Sequence, residues 1–415
     1  MPAILLNMLK SMKLNISAVL LLIVGHAPSD LIASEGAREQ LIRDVIIENG
    51  FTPHENLYID KDSELSPEGK VFFESTHMSL NGNIACATCH VSKIGSSDGI
   101  PNAVGVRGHG ESIERLMSGG KIVPRNSLAL WGVGSKGFQT LFWDGKLSFV
   151  DGKTISQFGS TAPSDDPLVT AVHLPPVEIR ETLEEDAFVL NNKNETVAGV
   201  DVIYGAIVDN LRVHEPDAFE ALAVKRKIPQ EDVRFLDVAF ALAAFIRDEF
   251  RIKETRIEKF VSGSDSFSDT ELFGAEVFYG KGGCVICHSG PNFTDQQFYT
   301  VPFPQLGFGK NGFGIDYGRY NATFNPSDLY KFRTPSLFNV ANTRPFGHSG
   351  SVYTLEEAVT AHYDPLALAS IEQYDSLQRH ELSKVLALND TVGTVNFLTE
   401  DEVAAVTEFL KTLSF

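Results

Sequence analysis

All four cysteines of the 415-residue chain belong to two copies of one five-residue pattern. The copies read CATCH over residues 86–90 and CVICH over residues 284–288. C-x-x-C-H is the attachment signature of a c-type haem, in which two thiols bind one porphyrin and the adjacent histidine ligates its iron. A Cys₄ zinc site or two thioredoxin-like redox pairs would leave both histidines unexplained. The pattern therefore predicts two covalently bound c-type haems, attached and ligated by Cys86, Cys89, His90, Cys284, Cys287 and His288.

The N-terminal segment is typical of an export signal. Lys10 and Lys13 precede an apolar run at residues 16–24, and small residues follow as far as Ser34. A membrane span needs about 20 apolar residues, and this run is shorter. We therefore predict that residues 1–34 form a signal peptide and that the remainder resides in the periplasm without stable membrane insertion. Because no A-x-A cleavage site is evident, an uncleaved anchor is the alternative.

The composition narrows the class of partner. Lys and Arg number 35 against 54 for Asp and Glu, so the formal net charge is −19. Such an acidic chain argues against nucleic acid or an anionic membrane surface as its main partner, and it suits cationic partners. Hydrophobic residues at 43% and charged residues at 21% indicate a globular protein and exclude disorder.

Similar local patterns surround the two motifs. Before the first, Ser66 and Pro67 suit the N-cap and first position of a short helix. Before the second, Ser268 and Glu271 form a capping box at the start of another helix. Each helix leads into a glycine-containing loop and then into the motif. The repetition predicts a tandem pseudo-repeat of two cytochrome c-like haem domains.

The expected division of the chain follows from this repetition. A strongly apolar helix is predicted at 235–248, packed at the domain junction. We predict an N-terminal haem domain at 35–200 and a C-terminal haem domain at 201–415, whose residues 201–262 are junction helices. No segment shows sustained alternation of apolar and polar residues, so the expected fold class is mainly α with long loops.

Several further motifs are similar to those of one family, the bacterial dihaem cytochrome c peroxidases and MauG-like enzymes. Besides CATCH, they are FWDGK at 142–146, PVEI at 176–179, CVICHSGPNFTD at 284–295, and FRTPSLFNVANTRPFGHSG at 332–350 followed by TLEEAV. The resemblance covers nearly all of the chain after the signal segment. It implies that hydrogen peroxide reacts at the N-terminal haem, while the C-terminal haem stores or relays electrons.

The resemblance also implies catalytic residues. Glu178 matches the family's acid-base glutamate, although Ile179 replaces the usual methionine after it. Gln157 matches a glutamine of the same pocket, and Trp143 matches a tryptophan that relays electrons between the haems. The alternatives are a solvated acid for Glu178, an ordinary surface residue for Gln157, and a core residue for Trp143, as is expected of Trp131.

The axial ligand of the second haem departs from the typical peroxidase pattern. Where that pattern has methionine, this chain has His362. Tyr363 is the runner-up because MauG-like enzymes use tyrosine, and the other alternative is that His362 is a helical histidine bonded locally. No methionine follows the second motif. Histidine should lower the reduction potential relative to methionine. For the first haem, the loop residue His109 is a candidate resting ligand, and His77 ranks below it.

The resemblance further implies a calcium ion bound by the Asn126 side chain and the backbone carbonyls of Thr343 and Pro345. Oxygen ligands of this kind suit calcium. It also places His348 near a haem edge, where an exposed role is an equally simple reading.

These features predict a periplasmic cytochrome c peroxidase that reduces hydrogen peroxide to water. Its electrons would come from a small cytochrome c or a cupredoxin, and kinship suggests a homodimer. One alternative is a MauG-like enzyme that uses peroxide and a high-valent diiron state to oxidise a protein side chain or another substrate. A second alternative is a non-catalytic dihaem electron carrier.

Overall fold

The chain folds mainly into helices joined by long loops, as the sequence predicts. The structure is a computed structural model that describes residues 35–159, 162–184, 197–312 and 314–415, so the expected signal peptide lies outside the described residues. The α-helices of these ranges are α1 (Glu35–Glu48), α2 (His54–Leu57), α3 (Ser66–Glu74), α4 (Cys86–Cys89), α5 (Ser112–Met117), α6 (Pro167–Ala171), α7 (Val197–His214), α8 (Pro216–Arg226), α9 (Phe235–Glu249), α10 (Arg256–Val261), α11 (Asp269–Tyr279), α12 (Tyr320–Thr323), α13 (Leu355–Thr360), α14 (Ser376–Ala387) and α15 (Glu400–Lys411).

Two small antiparallel sheets accompany the helices. The first contains β1 (Thr140–Leu141), β2 (Leu147–Val150) and β3 (Lys153–Ser156) in that order, and the second pairs β4 (Phe298–Tyr299) with β5 (Phe332–Arg333). Their strands have two to four residues, too few to produce a detectable alternation in the sequence. The turn between β1 and β2 carries the FWDGK motif.

Helix α3, which precedes the first haem motif, packs closely against α9. A side chain at Gly69 would overlap the carbonyl oxygen of Ala241 and press on Cβ of Phe245. The two backbones therefore approach each other through a glycine on one side and a small residue on the other. The predicted apolar helix at 235–248 is confirmed at 235–249, and its buried side faces α3.

Helix α11, which precedes the second haem motif, packs against α15 in the same manner. A side chain at Gly274 would overlap the carbonyl oxygen of Ala405 and press on Cβ of Phe409. Each motif is thus preceded by a helix whose glycine meets an alanine carbonyl and a phenylalanine four residues later. The capping box of Ser268 and Glu271 at the start of α11 is confirmed.

The start of the first helix differs from the local prediction. Ser66 is the first residue of α3 instead of its N-cap, because a 3₁₀ turn at Ser63–Leu65 runs directly into the helix. Its hydroxyl instead donates to Asp248 at 3.2 Å. The Ser66 side chain therefore links α3 to α9 and does not cap α3, which continues directly from the 3₁₀ turn.

Several helices pack against segments from the other side of the division predicted at residue 200. Helices α7, α8 and α9, at 197–249, pack with α3 and with short helices of the N-terminal part of the chain. Conversely, α1 packs on α11 and α10, with Arg38 bonded to Glu276 at 2.7 Å and Arg43 to the Phe260 carbonyl at 2.8 Å. Because these contacts join segments far apart in sequence, sequence order did not reveal them.

Gly69→Ala should destabilise the protein because the new methyl group meets a backbone oxygen, which cannot move without separating α3 from α9. Such overpacking costs about 1–3 kcal/mol or more. Gly205→Ala is the matched control, since Gly205 is an exposed helical glycine with no atom near its would-be Cβ. It should be neutral or stabilise by roughly 1 kcal/mol. Urea unfolding of both variants checks this, and equal stabilities would contradict the close approach.

Candidate active site

The first haem motif presents a histidine with a fixed orientation. Cys86 and Cys89 begin and end α4, and His90 follows it. The Nδ1 atom of His90 lies 3.2 Å from the Ser96 carbonyl oxygen, which can only accept, so Nδ1 carries the hydrogen. Burial lowers the pKa of His90, which favours the neutral ring. Its Nε2 lone pair is therefore available to a metal, as expected of a haem ligand.

The second motif repeats this arrangement on a 3₁₀ turn at Cys284–Ile286. The Nδ1 atom of His288 lies 3.2 Å from the Phe293 carbonyl oxygen. Burial, and secondarily the nearby His362, lowers the pKa of His288 to about 4. Both motif histidines thus donate through Nδ1 to a carbonyl in the following loop, although only the first stands after an α-helix.

His362 faces His288 across a large cavity. Their ring centres are 6.4 Å apart, and the Nδ1 atom of His362 lies 2.8 Å from the Ala358 carbonyl oxygen. Two imidazoles that each bond one metal ion at about 2 Å have ring centres roughly 6 Å apart. The observed spacing therefore fits a haem iron between the two rings.

Tyr363 lies in the same cavity wall but turns elsewhere. Its ring packs edge-on against Phe397 at 5.3 Å, and its hydroxyl lies 3.4 Å from the Thr360 hydroxyl. The geometry thus brings His362, and not Tyr363, opposite His288.

Trp143 borders the cavity of the second motif. Its Nε1 donates to the Asn126 carbonyl oxygen at 3.0 Å, and its ring lies edge-on to Phe332 at 6.4 Å. The His348 ring stacks on the Phe332 ring, with ring centres 4.0 Å apart. Burial lowers the pKa of His348 to about 4. Trp131 is more deeply buried and packs against Phe415, as a core residue does.

Glu178 lies between two lysines. It directly contacts Lys146 of the FWDGK motif, and Lys310 Nζ lies 3.4 Å from Glu178 Oε1. Burial would raise the pKa of Glu178, but the two ammonium groups outweigh it and lower the pKa to about 2. Glu178 is therefore ionised at neutral pH.

Glu181 has the opposite electrostatic setting. Burial, together with the neighbouring Glu178, raises the pKa of Glu181 to about 7. Burial also raises the thiol pKa values of Cys86 and Cys89, and Glu181 contributes to both shifts. Glu181 therefore lies near the cysteines of the first haem motif, and Glu178 lies near Glu181. The two carboxylates have unequal affinities for a proton, a pattern common at acid-base sites.

A buried arginine joins the two haem regions. Arg125 donates to Asp144 at 2.7 Å and, through two nitrogens, to Asp316 at 2.9 and 3.0 Å. The aspartates are 1% and 0% exposed. Burial alone would raise the pKa of each carboxyl, and Arg125 holds both pKa values below the ordinary value. Asp144 follows Trp143, so this arginine also anchors the FWDGK turn.

The residues expected to bind calcium lie close together. The Asn126 amide nitrogen lies 2.6 Å from the Pro345 carbonyl oxygen, and the Asn126 side-chain oxygen is buried without a partner. Thr343 borders the same cavity. An amide flip would direct the Asn126 oxygen and the Pro345 carbonyl to one point, so this donor set fits a cation that prefers oxygen.

The remaining candidates from the sequence, Gln157, His109 and His77, make none of the contacts described above for the site. Gln157 is exposed in the turn after β3, and His109 is exposed on its glycine-flanked loop. His77 stacks on His214 with ring centres 3.7 Å apart. Sequence reasoning missed Lys146, Lys310 and the partners of Arg125. Lys146 had a signal because it ends the FWDGK motif, whereas nothing in the sequence pairs Lys310 with Glu178.

Comparisons with known proteins find relatives among haem peroxidases. A family model described as di-haem cytochrome c peroxidase matches residues 65–266. The chain is 27% identical over 361 residues to cytochrome-c peroxidase IdrP1 of a Pseudomonas species, covering 76% of this chain and 81% of that protein. It is 27% identical over 318 residues to methylamine utilization protein MauG of Methylorubrum extorquens, covering 75% and 73%.

The fold is also found among solved structures. A MauG-like protein associated with microbial copper homeostasis aligns with a TM-score of 0.61 at 22% identity, over 88% of this chain and 92% of that chain. At this identity the likeness shows the fold alone. Among the described residues, no helix is long and apolar enough to cross a membrane.

These findings define the class of the protein as a haem peroxidase, an oxidoreductase that acts on hydrogen peroxide. The match of residues 65–266 to the family model, together with these relatives, makes the chain similar to di-haem cytochrome c peroxidases and MauG proteins, a family that uses two haem groups.

Arg125→Met should lower the free energy of unfolding by about 3–5 kcal/mol because it leaves two buried carboxylates without their cation. The deficit should shrink as the pH falls from about 7 to 4, since Asp144 and Asp316 then protonate in the variant. Urea unfolding at several pH values measures this. Arg251→Met, which removes an exposed pair with Asp248 at 3.9 Å, should change stability by less than about 1 kcal/mol. Equal effects of the two variants would contradict the anchoring role.

Proposed function

We propose that this chain is an exported cytochrome c peroxidase that reduces hydrogen peroxide to water beside His90, with Glu178 as the acid-base group. The observation that carries the proposal is the position of Glu178, an ionised carboxylate held between Lys146 and Lys310 near the first haem motif. A bound haem supplies the iron at which peroxide is reduced. The similarity to curated peroxidases supports this reaction class.

The proposed arrangement has two cytochrome c-like units, each with one haem attached through its two cysteines. The paired helices α3–α9 and α11–α15 support a pseudo-repeat, with the first unit ending near residue 250 and α1 belonging to the second. We further propose a calcium ion at Asn126, Thr343 and Pro345, a homodimer, and a periplasmic location. The orphaned Asn126 oxygen supports the ion.

Glu178 can move a proton between the two oxygens of peroxide. As a carboxylate it accepts a proton from one oxygen, and it returns that proton to the other oxygen as their bond breaks. Lys146 contacts this carboxylate directly. Gln157 is a weaker candidate for orienting peroxide, because it is exposed.

Electrons would enter from a small cytochrome c or a cupredoxin at the second haem, between His288 and His362. Trp143 borders that site and precedes the Asp144–Arg125 contact, so its indole is a suitable relay towards the first site. The edge-on contact of Trp143 with Phe332 keeps the indole in one orientation.

One observation favours a second candidate function. The approach of His362 to His288 supports histidine ligation at the second haem, which should lower its reduction potential relative to methionine. A low-potential second haem suits a MauG-like enzyme that oxidises a protein side chain or another substrate. Steady-state oxidation of reduced cytochrome c by peroxide separates the candidates, since its absence would overturn the peroxidase proposal.

Glu178→Gln should reduce kcat/KM for hydrogen peroxide by a factor of about 10² to 10⁴, because the amide cannot carry the proton. Stopped-flow mixing with peroxide measures this. Glu220→Gln, an exposed helical glutamate, is the matched control and should retain wild-type turnover. An unchanged rate in the Glu178 variant would leave a pure electron carrier as the better reading.

His362→Gly should convert the second haem from low spin to high spin because it removes one axial ligand while retaining His288. Electron paramagnetic resonance detects the change, and added imidazole should restore the low-spin signal. Tyr363→Phe is the control and should leave the spectrum unaltered. If instead Tyr363→Phe changes the spin state and His362→Gly does not, the tyrosine is the ligand.

A further inference from the structure

Glu178 receives one of its two lysines from a distant part of the chain. Lys310 lies on a tight loop at 308–312 that follows the second haem motif by about twenty residues in sequence. Its Nζ lies 3.4 Å from Glu178 Oε1. The same loop makes a second contact with the glutamate's segment, because the Arg180 guanidinium lies over the Phe308 ring at 5.0 Å. Two neighbouring contacts thus join this loop to residues 178–180.

The loop is held in position independently of Glu178. The Lys310 backbone nitrogen donates to Asp316 at 3.0 Å, and the Gly309 nitrogen donates to the Gly314 carbonyl at 3.0 Å. A side chain at Gly309 would overlap the Asp316 backbone, so the turn requires glycine there. Asp316 is itself fixed by both nitrogens of Arg125. Lys310 therefore lies on a turn whose backbone is fixed by hydrogen bonds to Asp316 and Gly314.

The other lysine is braced through the same arginine. Arg125 bonds Asp144, and Asp144 Oδ1 accepts the Lys146 backbone nitrogen at 3.1 Å. Lys146 then contacts Glu178. The contacts close a ring that runs from Glu178 through Lys310, Asp316, Arg125, Asp144 and Lys146 back to Glu178. Within this ring, Glu178 lies between the two lysines, and Asp144 and Asp316 are both bonded to Arg125.

Glu178 stays ionised only because positive charges offset its burial. Burial favours the protonated acid, and the nearby Glu181 opposes a second negative charge. Lys146 and Lys310 are the charged groups that counter both effects at Glu178. An opposite charge within about 4–6 Å lowers a carboxyl pKa by about 1–3 units, so the loss of either lysine should be measurable.

We propose that Lys310 is a positioning residue for peroxide reduction, which keeps Glu178 ionised and oriented from the far side of the charge ring. The inference rests on the proposed function of Glu178. It assigns to the loop at 308–312 control over the proton affinity of a group near the other haem.

The test compares Lys310→Met with Lys310→Arg in the dihaem protein. The first readout is the pH dependence of kcat/KM for hydrogen peroxide, from the lowest pH at which the protein stays folded up to about pH 8, because the Glu178 pKa of about 2 lies at the acid end of this range. The second is infrared titration of the Glu178 carboxyl, whose band is identified by its loss in Glu178→Gln. Lys153→Met, an exposed lysine on β3, is the matched control.

In Lys310→Met, the acid limb of the profile and the infrared midpoint of Glu178 should both move to higher pH by about one unit or more. Lys310→Arg should largely restore the wild-type values, and Lys153→Met should leave them unchanged. If Lys310→Met fails to fold, Lys310→Gln replaces it, since it keeps a polar side chain without the charge.

Two results overturn the inference. One is an unmoved Glu178 midpoint in Lys310→Met, and the other is an equal shift in Lys153→Met, which would reflect net charge alone. Failure of the proposed function is distinguishable, because Glu178→Gln would then leave the peroxide rate unchanged whatever the infrared midpoint does.

Discussion

The bond of one largely buried guanidinium to two buried carboxylates holds the candidate active site together. Arg125 follows the first haem motif, Asp144 lies in the FWDGK turn, and Asp316 comes from the segment after the second motif. An arginine suits this position because its planar fork can bond two acids at once and stays charged when buried. The orientations of Trp143 and Lys310 both depend on this contact, since each adjoins one of the two aspartates in sequence or by a backbone bond.

Local sequence signals were reliable where the physics was local. The capping box of Ser268 and Glu271 needs only two side chains three residues apart, and the helix at 235–249 shows its apolar face in its own composition. The haem motifs contain cysteines and histidine within five residues. His362 could be picked out because it occupies a position within a recognisable helix pattern, and its ring indeed faces His288.

Long-range arrangements were not accessible in the same way. The sequence shows that α1 is helical and carries arginines, but not that these reach Glu276 and the Phe260 carbonyl. The pairing of Lys310 with Glu178 spans 132 positions and depends on a turn whose glycine is one of many. The β-strands were missed because strands of two to four residues are too short to show a period. What the sequence lacked was information about which helix faces meet, as in the packing of α1 on α10 and α11.

The position of α1 has a consequence for the order in which the protein can form. This helix is the first described element to be synthesised, yet it rests on α10 and α11, and α11 in turn needs α15 near the C-terminus. The Ile257 amide also bonds the Thr412 carbonyl at 3.1 Å. The packing of α1, α10, α11 and α15 is therefore incomplete until almost the whole chain has emerged, whereas α3 and α9 can meet much earlier. Nascent chains should pass through a stage in which one half is folded and the N-terminal helix still lacks its partner.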